Sequence, residues 1–346
     1  MTQYLAILKG KDAEYGAWGT ASAAVRAATR VIYEMVPNAN LKPPNNEVTN
    51  FVNRASRQWP TGAMMTVDSG HINRPGVALR VATLLRQGQI ESIPVAHIGD
   101  RPTVLADVAA AAALQGNGAC LRVGSVGQVP DPVQAGAGLP GLLGILGLAP
   151  NQIDLVIDFA VVSSALAVTG AVQVALAMLT WAVSEGPWRS VAIAAGAFPD
   201  AISDANRFPL GQTAPVHRYD AVFFAGVSAG NPAVEPDYGD YGINHPAMPG
   251  PAWRGPKPNL RYTVGLDWRV YRDDNVLPGN ESFFTLCGRV VQAPHWAGAA
   301  YSAGDQEIER CSRGVGSPGR ATEWLSYGTS HHMAHVVDRL ANLGVP

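Results

Sequence analysis

Charged and titratable side chains end most of the apolar runs in this sequence. They are Lys9, Glu34, Asp68, His97, Arg122 and Asp158, with Asp237 or Asp240 ending a less apolar run. Arginine offers a planar fork of donors and lysine a point charge, so both suit an anionic group such as phosphate. Carboxylates can bind a divalent cation or act as acid and base, and histidine can transfer protons. These types together indicate a reactive site, although each side chain alone could simply begin a solvated loop.

A second concentration of reactive types lies in DYGDYGINHP, residues 237–246. It contains two acids, two phenols and an imidazole, namely Asp237, Asp240, Tyr238, Tyr241 and His245. Groups of this kind, held on tight turns between glycines, are suited to acid-base chemistry or metal coordination. A purely structural turn is the alternative.

The apolar runs alternate with helix-patterned segments, which predicts a parallel sheet. Eight strands are predicted, over residues 4–9, 31–36, 63–68, 92–97, 119–123, 154–158, 190–196 and 237–242. Helices are predicted in TASAAVRAATR, RPGVALRVATLLRQG, TVLADVAAAAALQG and the Ala-rich segment after residue 160. Eight such units predict an α/β fold, a TIM-type (β/α)8 barrel over residues 1–250, whose strand C-termini converge on one face.

The chain changes character after a Pro-rich stretch at residue 250. One strand is predicted in LRYTVGLDWRVYRD, followed by helices in ESFFTLCGRVVQ, AGDQEIERCSR and SHHMAHVVDRLANL. We expect residues 251–346 to form an α+β extension that packs on the barrel, because these elements offer little core of their own. An independent domain is the alternative.

Composition limits the classes of function. Charged residues make up 15% of the 346 residues and the formal net charge is −2, which argues against disorder and against a nucleic-acid surface. The three cysteines suit neither a disulfide framework nor a zinc site, and the charged N-terminus does not resemble a secretory signal. We therefore expect a cytoplasmic protein.

Two long uncharged runs need separate interpretations. The run 159–184 is long enough to span a membrane, but its Ser, Thr and Gln residues favour the end of a strand followed by an Ala-rich helix. We therefore expect no membrane contact. The run 132–152 contains Pro140, Pro150 and several glycines, which predict a loop and a short helix.

Three motifs resemble known sites but fit their context poorly. The G-x-G-x-x-G at 136–141 does not directly follow a strand, and the G-x-S-x-G at 226–230 is followed by prolines. His331 and His335 could share a helix face and bind a metal. The favoured alternative is an N-cap at Thr329 or Ser330, with the histidines in the first helical turn.

The chain resembles the phage beta protein family of phages and bacteria. The resemblance extends from end to end and rests on the order of YLAILKGKDAEYGAW, IPVAHIGD, CLRV, IDLVIDFA, PWRSVAIAAGAFP, PDYGDYGINHP, LRYT, SAGDQEIERC and GTSHHMAHVVDRL. It implies a TIM-type barrel and a phage or mobile-element context, but no particular activity. Its recurrent polar positions correspond to Lys9, Arg122, Asp158, Asp240, His245, Arg261, Tyr262, Asp305 and His332.

These observations lead to one hypothesis about chemistry: a protein that binds, and as an enzyme would hydrolyse, a phosphorylated, nucleotide-like small molecule at the strand C-termini. The predicted catalytic residues are Asp158, Asp240, His245 and His97. The predicted substrate-binding residues are Lys9, Arg122, Arg261, Tyr262 and His332. Glu34 and Asp68 are predicted to bind Mg²⁺ or Mn²⁺.

Two alternatives stay open. Paired carboxylates on the same face could cleave glycosides, in which case two of Trp59, Trp188, Trp253 and Trp296 should flank them. The protein could instead be a non-catalytic binding or assembly protein in phage-host conflict and antiviral defence, with a protein partner or a second copy bound by residues 251–346.

Overall fold

Eight parallel strands close into a barrel in the computed structural model, which describes residues 3–38, 46–72, 74–202, 206–248, 258–273 and 280–346. In barrel order they are β1 (Tyr4–Lys9), β2 (Thr29–Glu34), β3 (Met65–Asp68), β4 (Ser92–His97), β5 (Ala119–Val123), β6 (Ile153–Val161), β7 (Ser190–Gly196) and β9 (Asp237–Asp240). The predicted TIM-type barrel is confirmed. The boundaries of β2, β3, β6 and β9 differ from the predicted ones, and β2 begins at Thr29, inside a segment predicted to be helical.

Eleven helices accompany the strands in the described residues. They are α1 (Asp12–Gly19), α2 (Ala23–Ala28), α3 (Glu47–Gln58), α4 (Val77–Gln87), α5 (Pro102–Gln115), α6 (Pro132–Leu146), α7 (Ala165–Glu185), α8 (Tyr219–Ala229), α9 (Ser282–Val291), α10 (Ala303–Ser312) and α11 (Ala321–Leu343). A 3-10 turn, Pro150–Gln152, precedes β6. Local signals set several boundaries: the side chains of Ser22, Asn46 and Ser164 cap α2, α3 and α7.

Helix α6 corrects the prediction of a loop with a short helix. Asp131 caps its first turn, and the helix continues through Pro140 to a left-handed Gly147. Buried Leu139 and Leu142 hold this segment against its neighbours, which outweighs the hydrogen bond that the proline cannot donate. The G-x-G-x-x-G motif at 136–141 lies inside this helix, so its glycines form no phosphate-binding turn.

Helix α7 covers most of the uncharged run 159–184 and packs against α6 and α8. It is long and apolar enough to cross a membrane by length and composition, with a mean hydropathy of 1.8. One such helix in the described part of the chain is weak evidence for a membrane span, because helices of soluble proteins satisfy the same criterion. The cytoplasmic location stays a prediction.

A three-stranded antiparallel sheet lies outside the barrel. It consists of β8 (Thr213–His217), β10 (Asn259–Val264) and β11 (Asp267–Arg272), in the order β10-β11-β8. The single strand predicted in this region is therefore a hairpin, which turns at the left-handed Gly265. Since β8 precedes barrel strand β9 in the chain, the sheet joins segments from both sides of the predicted boundary at residue 250. The division into barrel and extension stays a prediction.

The C-terminal helix is longer than predicted. It begins at Ala321, where Glu323 accepts a hydrogen bond from the Arg320 backbone N–H. Thr329 and Ser330 therefore lie in the middle of α11 and do not cap it. His331 and His332 are buried there, because this stretch of α11 packs against β10 and against α1.

Alternation along the strands places one set of side chains inside the barrel. The apolar interior consists of Leu5, Ile7, Ile32, Ile93, Val95, Cys120, Val156, Ala192, Ala194 and Tyr241. Lys9, Glu34 and Arg122 each follow an interior residue by two positions, so they face inward at the C-terminal end. The barrel thus carries an apolar plug beneath a polar layer.

Candidate functional site

Arg122 lies at the centre of the polar layer and pairs with three carboxylates. Its Nη1 donates to Glu34 Oε1 at 2.8 Å and to Asp68 Oδ2 at 2.7 Å. Its Nε and Nη2 both donate to Asp158 Oδ2, at 2.9 and 2.7 Å. The Tyr241 hydroxyl accepts from Arg122 Nη2 at 2.5 Å and donates to Asp158 Oδ2 at 2.6 Å. Every side-chain nitrogen of Arg122 therefore has an acceptor.

Lys9 and His97 complete this group, which we call the Arg122 cluster: Lys9, Glu34, Asp68, His97, Arg122, Asp158 and Tyr241. Lys9 Nζ donates to Glu34 Oε2 at 2.7 Å and to the Pro246 carbonyl at 2.5 Å. His97 Nε2 lies 3.0 Å from Asp68 Oδ1. The structure thus brings together all six strand-end residues of β1 to β6 that the sequence indicated.

The electrostatics of the Arg122 cluster favour a closed set of ion pairs. Its carboxylates at Glu34, Asp68 and Asp158 are at most 1% exposed. Burial alone would raise the pKa of Glu34, but Arg122 and then His71 and Lys9 outweigh it and lower this pKa to about 2. Burial likewise opposes ionisation of Asp68, yet the neighbouring His97 and Arg122 hold its pKa well below the usual value.

The interaction between Asp68 and His97 shifts the pKa of His97 in the opposite direction to that of Asp68. Burial lowers its pKa, but the Asp68 carboxylate outweighs burial and raises it. With His97 protonated, three cations face three carboxylates. A metal ion at Glu34 and Asp68 would have to displace these ion pairs, and the described residues contain no group of three or more His, Cys, Asp or Glu that could hold one.

Asp240 does not join the Arg122 cluster, because its side chain leaves the strand on the outer face. Its Oδ2 lies 2.8 Å from His332 Nε2 and accepts from the Tyr238 hydroxyl at 2.9 Å. Its Oδ1 accepts from the Tyr4 hydroxyl at 2.5 Å, and Arg218 Nη2 is 3.6 Å from Oδ2. Asp240 and His332 therefore form a second buried group, between the barrel and α11.

Tyr262 also lies apart from the Arg122 cluster, in the core formed by β10, α10 and α11. Its hydroxyl donates to Asp305 Oδ1 at 2.9 Å, and its ring stacks on His331 at a centroid distance of 3.8 Å. His331 Nδ1 lies 2.9 Å from Asp305 Oδ2. These partners are buried, so the contacts tie the hairpin to the two C-terminal helices.

A cavity of about 410 Å³ opens beside the Arg122 cluster and shares Lys9 with it. We call it the mouth cavity. Its polar lining includes the sequence-predicted Lys9, His245 and Arg261, together with Lys11, Glu14, Asp200 and Asn244, which the sequence did not single out. Three cationic side chains therefore surround one buried acid.

Glu14 reaches the mouth cavity because α1 starts almost directly after β1. The Lys11 backbone N–H donates to the Lys9 carbonyl at 2.7 Å, and Gly10 allows the close turn, since a Cβ there would lie 2.7 Å from the Phe51 ring. The first turn of α1 then places Glu14 beside Asn244, whose Nδ2 donates to Glu14 Oε1 at 3.0 Å.

One oxygen of Glu14 has no partner. Oε2 is buried and makes no hydrogen bond within the described residues, whereas Oε1 is linked to Arg261 through Asn244, whose Oδ1 accepts from Arg261 Nη1 at 3.1 Å. Burial raises the pKa of Glu14 to about 7. An acid with such a pKa can both donate and accept a proton near neutral pH.

The pKa values of the basic side chains around the mouth cavity are lowered, whereas that of Glu14 is raised. Burial lowers the pKa of Arg261 to about 10, and it lowers those of Lys11 and His245 as well. Each shift means that the positive form lacks full compensation inside the protein. A bound anion would supply that compensation.

The tryptophans do not surround the carboxylates of the Arg122 cluster. Trp59 precedes β3 and Trp188 precedes β7, so both lie at the opposite end of the barrel, where their indole N–H groups donate to Ala63 and Ala182 carbonyls. Trp296 packs 5.9 Å from the Tyr262 ring. Trp253 lies outside the described residues. Trp59, Trp188 and Trp296 therefore offer no sugar platform beside the paired acids of the Arg122 cluster.

Comparison with known proteins gives one result that covers nearly the whole chain. The model of the Beta protein family matches residues 4–338, from β1 to within α11. No curated protein shows significant similarity to the sequence. The family match includes the Arg122 cluster, the mouth cavity and the outer sheet. The chain belongs to the Beta protein family.

Proposed function

We propose that this protein binds a small phosphorylated, nucleotide-like molecule in the mouth cavity. The observation that carries the proposal is the convergence of Lys9, Lys11 and Arg261 on a cavity of about 410 Å³ that also contains the unpaired Glu14 oxygen. Cavities of this size accommodate small organic ligands. Lysine and arginine are the side chains best suited to phosphate oxygens.

The charge balance of the mouth cavity supports an anionic ligand. Lys9 is shared with Glu34, but no carboxylate contacts Lys11 or Arg261 within ion-pair distance in the described part of the chain. Arg261 uses Nη1 for the Ile243 carbonyl and Asn244, and its guanidinium lies 4.5 Å above the Phe198 ring. A phosphate group would therefore meet donors whose positive charge is only partly neutralised.

Glu14 adds a proton to this arrangement. Near pH 7 a large fraction of the Glu14 carboxyl is protonated, so it can donate a hydrogen bond to a ligand oxygen instead of repelling it. Together with His245 it supplies the titratable groups that a phosphoester hydrolase needs. Binding has the more direct support, because the carboxylates expected to hold Mg²⁺ or Mn²⁺ are paired with Arg122.

The biological setting of this proposal comes from the family. We propose that the ligand belongs to phage or mobile-element biology, where a barrel that senses a nucleotide-like molecule would contribute to antiviral defence. We place this activity in the cytoplasm.

Calorimetric titration with inorganic phosphate, pyrophosphate and nucleoside mono- and diphosphates, with and without Mg²⁺, tests the proposal. For a ligand that binds, Lys11→Met should weaken affinity about tenfold, because it removes one charge-assisted contact. Arg80→Met is the matched control, since Arg80 is exposed on α4, away from the mouth cavity.

Phosphate release measured on the same samples separates the two parts of the hypothesis. Binding without release would identify a non-catalytic binding protein. Absence of binding to the whole panel would contradict the proposal, and so would equal affinities of the Lys11→Met and Arg80→Met proteins.

A further inference from the structure

We propose that the N-terminal end of the barrel is a second ligand site, which binds a small amphipathic anion with its apolar body inside the barrel. A cavity of about 420 Å³ opens at this end. It lies at the opposite end of the barrel from the mouth cavity, and five residues of the apolar plug line it. The inference does not depend on the function proposed above.

The cavity exists because small side chains occupy interior positions that bulky residues usually fill in such barrels. Among the inward-facing strand residues of its lining, Thr66 on β3 and Cys120 on β5 are the small ones. Leu5, Ile32, Ile93 and Val156 supply the rest of the inner surface. This surface suits a hydrocarbon group, because the transfer of apolar ligand atoms out of water is most favourable where the lining cannot hydrogen-bond to water.

A group of ion pairs lies beside this cavity at the N-terminal end of the barrel. Arg30 extends from β2 across the end of the barrel, and its Nη2 lies 2.6 Å from Asp237 Oδ2 while Nη1 lies 3.3 Å from Asp154 Oδ1. Arg189 also binds Asp154, at 2.6 Å. These contacts form a polar wall next to the apolar pocket, whose remaining lining includes Thr66, Ile93 and Cys120 on β3, β4 and β5 and the loop 60–64 before β3.

The charges on the rim favour an anionic head group. At this end Arg26, Arg30 and Arg189 face two acids, Asp154 and Asp237, which leaves one excess positive charge. Arg30 is engaged by two carboxylates, whereas the Arg26 guanidinium donates to the Ala21 carbonyl and pairs with no carboxylate among the described residues. A carboxylate or sulfonate on an aromatic or branched hydrocarbon matches this combination of apolar depth and cationic rim.

Anilinonaphthalene sulfonate, an aromatic body with one sulfonate, is a suitable probe. Its binding to the full-length protein can be followed by dye fluorescence and by energy transfer from the eight tryptophans, of which Trp18 lines the cavity. We expect one saturable site. Thr66→Phe fills the cavity and should weaken binding about tenfold, as overpacking a preformed space does.

Arg26→Gln tests the head group separately. It should weaken binding of the sulfonate dye about threefold, as expected for a partly exposed charge, and should leave the neutral analogue phenylnaphthylamine unaffected. Lys11→Met, at the other end of the barrel, is the control and should bind both dyes as the parent protein does.

Ala63→Trp fills the same cavity from the loop before β3 and serves if Thr66→Phe fails to fold by circular dichroism. The proposal is overturned by non-saturable dye binding, or by unchanged affinity in a folded cavity-filling variant. Loss of dye binding in Lys11→Met would also overturn it, because the dye would then occupy the mouth cavity.

Discussion

The Arg122 cluster and the mouth cavity lie side by side and share Lys9, yet they differ in how their charges are satisfied. In the Arg122 cluster three carboxylates meet Arg122, Lys9 and His97 at hydrogen-bonding distance. In the mouth cavity one oxygen of Glu14 has no partner among the described residues. The charges of the first region are paired with one another, whereas the second keeps a buried carboxyl oxygen without a partner among the described residues.

The difference shows why titratable residues at strand ends are an ambiguous sign of function. Buried charges require partners, and a barrel whose strand ends carry both signs can pair them internally. The charges then fix the strand ends relative to one another. Groups left over from this pairing are the ones available to a ligand, and here they come from the β1–α1 turn and from the segment after β9.

Removing the central cation should have the largest effect. Arg122→Met leaves three buried carboxylates without their shared partner, so we expect the free energy of unfolding to fall by about 4 kcal/mol. Urea denaturation at neutral pH measures it. Arg80→Met, which removes an exposed arginine, should change stability by no more than about 0.5 kcal/mol. A loss below about 1 kcal/mol for Arg122→Met would show that the cluster is not closed.

Most barrel strands could be predicted because they are apolar runs buried on both faces; β9, with the sequence DYGD, is the exception. The boundaries of β1, β4, β5 and β7 match the predicted ones residue for residue. Strand β8 was not predicted because TAPVH is half exposed and contains Pro215, and its pairing with β11 joins segments about 50 residues apart. The extent of α6 was hidden by its proline and glycines, whose local preference is outweighed by burial of its leucines.

The site was predictable only in part. Position at a strand end was enough to predict that Lys9, Glu34 and Arg122 lie together. In the last strand, however, a shift of one residue decides which side chain faces the barrel interior: Tyr241 does, whereas Asp240 faces outward. Glu14 gave no signal, because an acid in the first turn of a helix is ordinarily explained by the helix dipole. Its hydrogen-bond partner Asn244 lies 230 residues away in the chain.

Neutralising Glu14 in the mouth cavity should stabilise the protein, whereas neutralising Arg122 in the Arg122 cluster should destabilise it. The pKa of Glu14 is about 7 in the folded protein, against an ordinary value of 4.5. Below pH 4.5 the carboxyl is protonated in both states, but as pH rises towards 7 only the unfolded chain ionises freely, which lowers stability. Glu14→Gln removes this penalty, so we expect up to about 3 kcal/mol of added stability near pH 8 and almost none near pH 4.

Chemical denaturation at the two pH values measures this gain. Glu235→Gln is the matched control, because Glu235 is an exposed acid whose replacement should have little effect at either pH. If Glu14→Gln were destabilising near pH 8, the carboxylate would have to be compensated inside the protein, and the distinction between the two regions would disappear.

His97 tests the border of the Arg122 cluster, because it is the member most accessible to solvent. Its pKa is raised in the folded state by Asp68 despite burial, so its contribution is fully present below its unfolded pKa and is lost as pH rises through the folded pKa. His97→Gln keeps a donor for Asp68 but not the charge. We expect this substitution to lower the free energy of unfolding by about 1 kcal/mol near pH 6 and by little near pH 9, as measured by denaturation at both pH values.

The exposed pair of His217 and Asp267 provides the comparison, since His217→Gln should change stability by less than about 0.5 kcal/mol. A loss for His97→Gln that stayed constant with pH would mean that the imidazole acts through packing, and the charge balance of the Arg122 cluster would then not include it.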